Sequence, residues 1–306
     1  MIEYFHKQET GVTHMSIDKL QEKIRRYKNP SVVDFGVLPE QIPPHLLESE
    51  GSFLPAYERF CSELLFGLSG LVPAARFSFG SFALRGGEGL VVLRNILRIA
   101  KDKGYYVILD APEMLSQQSA SAAADILCSD TCEWYFDGIL CASYIGSDGL
   151  RPYIDKLKSN DKDIFAVVRT SNRTAPELQD LLTGSRLVHL AKADTVNRFA
   201  ESFIGRYGYS RVAAMAAAAS ADSLRTLRAK YKGLFLLLDG YDYPNANAKN
   251  CSFAFDKLGH GAAACAGSAV TAAWQAEASD GWQYVEQAVA AAERMKKNIT
   301  RYVTVL

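Results

Sequence analysis

The side chains best suited to chemistry are four carboxylates and one arginine at, or just beyond, the ends of short apolar runs: Arg76, Asp110, Glu113, Asp239 and Asp242. A carboxylate in such a place can take or give a proton, and one that faces a guanidinium forms a strong ion pair. Asp110 closes the run from Tyr105 and is a catalytic candidate, yet a strand-terminal Asp serves equally as the N-cap of the next helix. Arg76 set beside Asp110 would make a buried pair, a structural role rather than a catalytic one, because a guanidinium cannot be deprotonated to relay a proton. Ser171 and Asn172 offer a hydroxyl and an amide for binding, while their place before Pro176 favours turn chemistry.

Spacing supports no other chemistry. No Ser-His-Asp or Cys-His grouping can be argued around His189, and His260 falls at the start of an apolar run, at the end opposite the carboxylates. Cys128 and Cys132 can share one helical face, but no second Cys or His pair stands near to complete a tetrahedral zinc site, so neither a metal nor a cofactor is expected. The six cysteines are scattered, several within apolar runs, and disulfides are not expected.

These residues are positioned by a regular alternation. Short β-rich apolar runs cover Ser31 to Gly36, Leu71 to Phe79, Tyr105 to Asp110, Asp137 to Ala142, Asp163 to Thr170, Arg211 to Ala216, Gly233 to Asp239 and Gly261 to Ala266. Between them lie helical patterns, such as Glu88 to Lys103 with Gly104 as its stop signal. Strands that are apolar throughout are buried on both faces, which implies a parallel sheet covered by helices, and eight such units predict a single α/β (β/α)8 TIM barrel. An open doubly wound sheet is the alternative. In such barrels chemistry sits at the C-terminal ends of the strands, where the residues above fall. The Ala-rich sixth and eighth strands leave either a cavity or room for neighbouring aromatics. The barrel is expected over residues 16–306, with Ser16 as the N-cap of a first helix and residues 1–15 as an N-terminal extension.

The 306 residues carry 34 basic and 34 acidic side chains with no basic run, so nucleic acid is not an expected partner. Apolar stretches are far shorter than the roughly 20 residues that span a bilayer, and the N-terminus has no apolar signal region. A cytoplasmic protein that does not enter a membrane is therefore expected.

The segments in order carry a resemblance. Asn29-Pro30-Ser31-Val32-Val33, Leu71-Val72-Pro73-Ala74, Gly87-Glu88-Gly89-Leu90, Val107-Ile108-Leu109-Asp110-Ala111, Tyr144-Ile145-Gly146-Ser147-Asp148-Gly149, Val168-Arg169-Thr170-Ser171-Asn172 and Ile204-Gly205-Arg206-Tyr207-Gly208-Tyr209-Ser210 resemble the framework of the bacterial long-chain orotidine 5'-phosphate decarboxylases, from about Ser16 to Met295. The resemblance implies a dimeric, cofactor-free enzyme in which a lysine neutralises and protonates a pyrimidine carbanion within a network of Lys and Asp.

Against that pattern the functional positions depart. Asp110 remains, but Pro112 stands at the catalytic lysine's place and Leu115 at that of the aspartate contributed across the dimer; neither can donate a proton or carry charge. Arg76 stands for the second-strand lysine, and the ribose aspartate aligns with Gly36, with Asp34 adjacent. The phosphate loop reads Gly240-Tyr241-Asp242-Tyr243-Pro244-Asn245, and Ser268 stands near the place of the phosphate arginine. By this resemblance Arg76, Ser171, Asn172, Gly240 and Tyr241 are the substrate-binding candidates and Asp110 the retained catalytic one. The expected role is a non-catalytic structural or regulatory homologue, a homodimer or a heterodimer with a true decarboxylase. The alternatives are a barrel re-tooled for a cationic or neutral small molecule and an active decarboxylase.

Overall fold

The computed structural model describes residues 16–111, 116–142, 144–276 and 279–306. Eight parallel strands close into a barrel: β1 (Ser31–Asp34), β2 (Ala74–Ser78), β3 (Tyr106–Asp110), β4 (Gly138–Cys141), β5 (Asp163–Val167), β6 (Val212–Ala217), β7 (Leu236–Asp239) and β8 (Ala262–Ala266). Each pairs with its neighbour in sequence, and β8 pairs with β1 to complete the ring. The helices used below are α1 (Ser16–Tyr27), α2 (Phe53–Leu68), α3 (Gly86–Asp102), α4 (Val188–Ala200), α5 (Ala221–Lys230) and α6 (Tyr284–Thr300).

All eight expected runs form strands, several of them shorter than the apolar pattern. Leu71 and Val72 turn back to bond the carbonyl of Leu68, and Pro73 lacks an N–H, so β2 starts only at Ala74. β5 stops at Val167 because the next two amides, Val168 and Arg169, both donate to the carbonyl of Met215, which breaks the ladder and turns the chain out of the sheet. The α3 pattern ends as expected at Gly104, whose φ of +81° suits a residue with no Cβ.

The small residues of β6 and β8 do not leave the barrel empty. Tyr106, Phe165, Phe235 and Tyr209 form a chain of edge-to-face rings with centroids 6.2 to 6.4 Å apart. Glycines make the space for them. A Cβ on Gly138 would lie 2.6 Å from the Phe165 ring, and one on Gly261 would lie 2.2 Å from that of Tyr209.

α1 closes the N-terminal end of the barrel. Its apolar stripe, Ile17, Leu20 and Ile24, is buried, and the Gln21 side chain accepts the amide of Gly261 at 3.0 Å. Ser16 is the first helical residue and its hydroxyl donates to the carbonyl of Asp137 at 3.5 Å, a tie to the barrel floor in place of the cap expected of it. Residues 1–15, expected as an extension, lie outside the described residues. No helix among the described residues is long and apolar enough to cross a membrane.

Candidate active site

The strand register delivers three charged side chains to the C-terminal mouth. Asp34 ends β1 opposite Arg76 on β2, and Asp239 ends β7. The Arg76 guanidinium bridges the ring: Nη2 donates to Asp34 Oδ2, and Nη1 donates to Asp239 Oδ1 at 2.7 Å. Burial disfavours the charge on Arg76, but its neighbours outweigh that and raise its pKa. Cys265 lies beside it, yet burial pushes that thiol far up into its neutral form, so the stabilising charge comes from the two carboxylates. Both forks of the guanidinium are thereby committed within the protein.

A third carboxylate fills the other half of the mouth. Asp242 Oδ2 accepts the amides of Gly267 at 3.0 Å and Ala269 at 3.3 Å and the hydroxyl of Ser268 at 3.4 Å. These donors lie where β8 leaves the barrel for the short helix Ser268–Thr271. In TIM barrels the loops after strands seven and eight, with the start of a short helix, commonly bind phosphate. Here the protein's own carboxylate takes that set of donors.

Asp34, Arg76, Asp239, Asp242 and Tyr243 line a cavity of about 180 Å³. Three carboxylates against one guanidinium leave it a formal excess of two negative charges. Through Gly36 and Leu38 it adjoins a more apolar cavity of about 340 Å³, lined by Phe35, Phe53, Tyr57 and Phe82. The mouth as built receives cations or neutral molecules more readily than a phosphate dianion.

Comparisons with known proteins found relatives by sequence and by structure. A curated orotidine 5'-phosphate decarboxylase of Rhodopirellula baltica is 29% identical over 232 residues, covering 73% of this chain and 77% of that protein. One from Clostridium kluyveri is 25% identical over 273 residues, covering 88% and 91%. Over most of its length the chain is similar to orotidine 5'-phosphate decarboxylases. No family model matches it. Solved structures share the fold: a Toxoplasma gondii chain assigned as an orotidine-monophosphate-decarboxylase superposes with a TM-score of 0.76 at 19% identity, over 93% of this chain and 97% of that one. The OMP decarboxylase of Leishmania donovani gives 0.68 at 20%, over 92% and 99%.

In this decarboxylase-like barrel the expected residues separate. Arg76 is central, but its described ion pairs are with Asp34 and Asp239 in place of the pair expected with Asp110. Asp110 ends β3, half-buried, and does not cap the next helix; Ser116 does, accepting the amide of Ser119 at 3.1 Å. Pro112, Glu113, Met114 and Leu115, on which the altered lysine and aspartate positions fall, lie outside the described residues. After β1, Asp34 Oδ1 accepts the Gly36 amide at 3.0 Å while its other oxygen meets Arg76.

Ser171 reaches the mouth, donating its hydroxyl to the carbonyl of Asp239 at 2.7 Å against the bare backbone of Gly240. Asn172 is exposed and bonded to Thr170 and Thr174, which is the turn chemistry expected. Tyr241 is a correction: its side chain lines a separate groove with Asn247, Asn298 and Arg301, because its amide donates to Cys265 and the turn then aims Asp242 and Tyr243 inward instead. His260 lies at the far end, near the carbonyl of Leu306 at 3.1 Å, as expected.

One grouping escaped the spacing argument. His189 on α4 lies 3.1 Å from Asp180 Oδ1 and donates from Nδ1 to the carbonyl of Gln179 at 2.9 Å, which leaves Nε2 to accept the Ser223 hydroxyl at 3.1 Å. Asp180 in turn receives two nitrogens of Arg169, at 2.8 and 3.0 Å. This has the order of a Ser-His-Asp triad, but His189 is 2% and Ser223 7% exposed, which denies a substrate its approach. Its role is to clasp the loop carrying Ser171 to α4 and α5. No sequence signal would have joined Asp180, His189 and Ser223, since the contact between α4 and α5 is made only by the closed barrel.

Proposed function

We propose that this decarboxylase-like barrel does not decarboxylate orotidine 5'-phosphate and serves instead as a non-catalytic structural or regulatory homologue, as a homodimer or in a heterodimer with a true decarboxylase. The observation that carries the reading is the Asp242 carboxylate seated on the amides of Gly267 and Ala269, where a substrate phosphate would need them. A dianion brought to the mouth would also meet Asp34 and Asp239, a repulsion on the order of several kcal/mol at intermediate dielectric. Pro112 and Leu115, at the positions of the lysine and aspartate, are in line with it. An enzyme of this kind must lower its barrier with positioned charge and grip on the phosphate, whereas among the described residues the mouth's Arg76 is already committed to Asp34 and Asp239.

Association is supported by apolar surface near the mouth, including Leu84 at 92% exposure and Val91 at 49%. The six free thiols suit a cytoplasmic setting. The deciding experiment is a direct spectroscopic assay with orotidine monophosphate: no turnover is expected, and turnover overturns the reading. Mixing with an active decarboxylase from the same cell then tests the partner role, which requires co-purification or a changed rate.

The formal excess of negative charge in the 180 Å³ cavity and its apolar annex favours a second reading, a barrel re-tooled for a cationic or neutral small molecule. A thermal-shift screen separates the two, since a ligand that binds only the folded state raises stability by mass action.

A further inference from the structure

Another cavity opens at the opposite, N-terminal face of the barrel, between α1 and the starts of β3 and β4. It measures about 340 Å³, and its charged lining is Lys19, Glu22, Lys23, Arg26, Lys101 and Asp137. Lys19, Lys23 and Arg26 stand at i, i+4 and i+7 of α1, one face of the helix, turned toward the floor of the barrel.

The cations there are unequally satisfied. Lys101 donates to both oxygens of Asp137, at 2.6 and 2.7 Å, and Asp137 also accepts the amide of Val107, so that carboxylate is spent. Lys19 is paired with Asp161 at 2.5 Å, and Glu22 with Arg206 at 2.8 Å. Lys23 and Arg26 have neither an ion pair nor a hydrogen bond among the described residues. The Lys23 ammonium is half-buried over the bare backbone of Gly104, and burial lowers its pKa, with Lys101 and Arg26 pushing the same way and Asp137 and Glu22 opposing. A half-desolvated ammonium with no direct ion pair, whose neighbouring carboxylates Asp137 and Glu22 are engaged elsewhere, is costly, and an anion that entered the cavity would reduce that cost.

We propose that this cleft is a binding site for a small multivalent oxyanion of the phosphate class, held by Lys23 and Arg26. Arginine presents parallel donors that match phosphate geometry, and lysine adds a point charge from the cavity wall. The site is separate from the acidic mouth, stands at the other end of the strands, and does not depend on what the mouth binds.

The test is calorimetric titration of the full chain with inorganic phosphate and with pyrophosphate, against sodium chloride at equal ionic strength. Saturable binding is expected, tighter for pyrophosphate, and weakened at least tenfold in the Lys23→Gln/Arg26→Gln double variant. Neither residue belongs to the buried apolar stripe of α1, so the variant should keep the parent's circular dichroism. A Lys158→Gln/Lys297→Gln variant, with the same change in net charge at exposed sites elsewhere, should bind as the parent does. No saturable heat beyond the salt control, or binding that persists in the Lys23/Arg26 variant or falls equally in the Lys158/Lys297 variant, overturns the proposal.

Discussion

Asp242 accepts the Gly267 amide at 3.0 Å, so a carboxylate from the loop after β7 occupies donors on the loop after β8. The contact is both a brace between two loops and a plug. Asp242→Ala should therefore cost about 1–2 kcal/mol of stability, as loss of a capping carboxylate does. It should also make the melting temperature more sensitive to added phosphate than the parent's is. Equal phosphate response in parent and variant would mean that the amides are not an anion site even when vacated.

Arg76 holds apart two carboxylates that would otherwise face each other across the mouth. Asp34 and Asp239 keep side-chain exposures of 21% and 17%, so solvent softens their repulsion without removing it. Arg76→Met should lose about 2–4 kcal/mol in urea melts, below the full loss for a wholly buried pair. The triple change with Asp34→Asn and Asp239→Asn should recover most of that. A single variant within about 1 kcal/mol of the parent would show that Arg76 is not the keystone of the mouth.

The two predictions rest on side chains that the sequence reveals to different degrees. Asp239 was legible as a strand-end charge because it closes an apolar run, and Arg76 as a charge set within one, while Asp34 entered only as the neighbour of Gly36; the eight runs together indicated the barrel that gathers their ends. Which of them pair was not legible, since pairing depends on the stagger between strands: Asp34 lies opposite Arg76, whereas Asp110 lies opposite Ser78. Tyr241 was misassigned for a similar reason. A single amide bond to Cys265 sets the turn, and neighbours in a turn point in different directions. The Asp180–His189–Ser223 chain was hidden because its members come from three separate segments.

Asp163 offers a test by pH. It is buried on the barrel floor between the Tyr106 hydroxyl at 2.5 Å and Arg211 Nε at 3.3 Å. Burial pushes its pKa up to about 7, although the tyrosine and the arginine both favour the anion. A raised value in the folded state means that the native protein holds the proton more tightly than the unfolded chain. The stabilisation is complete below the ordinary carboxylate range and is lost as pH climbs through about 7. Asp163→Asn, which cannot ionise, should gain stability relative to the parent from pH 4 to pH 7. If the parent instead gains on the variant over that window, the ion pair with Arg211 outweighs desolvation.

The buried His189 clasp should behave as structure and not as a nucleophilic centre. His189→Ala leaves the Ser223 hydroxyl and the Gln179 carbonyl without their partner in the interior and frees the Asp180 side of the loop; a loss of about 2–4 kcal/mol follows from unmet buried polar groups and the vacated volume. Ser223→Ala removes one neutral hydrogen bond and should cost about 1 kcal/mol. The loop that His189 pins carries Ser171, so hydrogen exchange in the His189 variant should rise across residues 168–181 before it rises in the strands. A fluorophosphonate probe, which marks serines activated by a neighbouring histidine, should leave the chain unmodified because Ser223 is covered. A stoichiometric adduct on Ser223 would show that the grouping opens to solvent and can activate its hydroxyl, and the clasp would then have to be read as a catalytic triad.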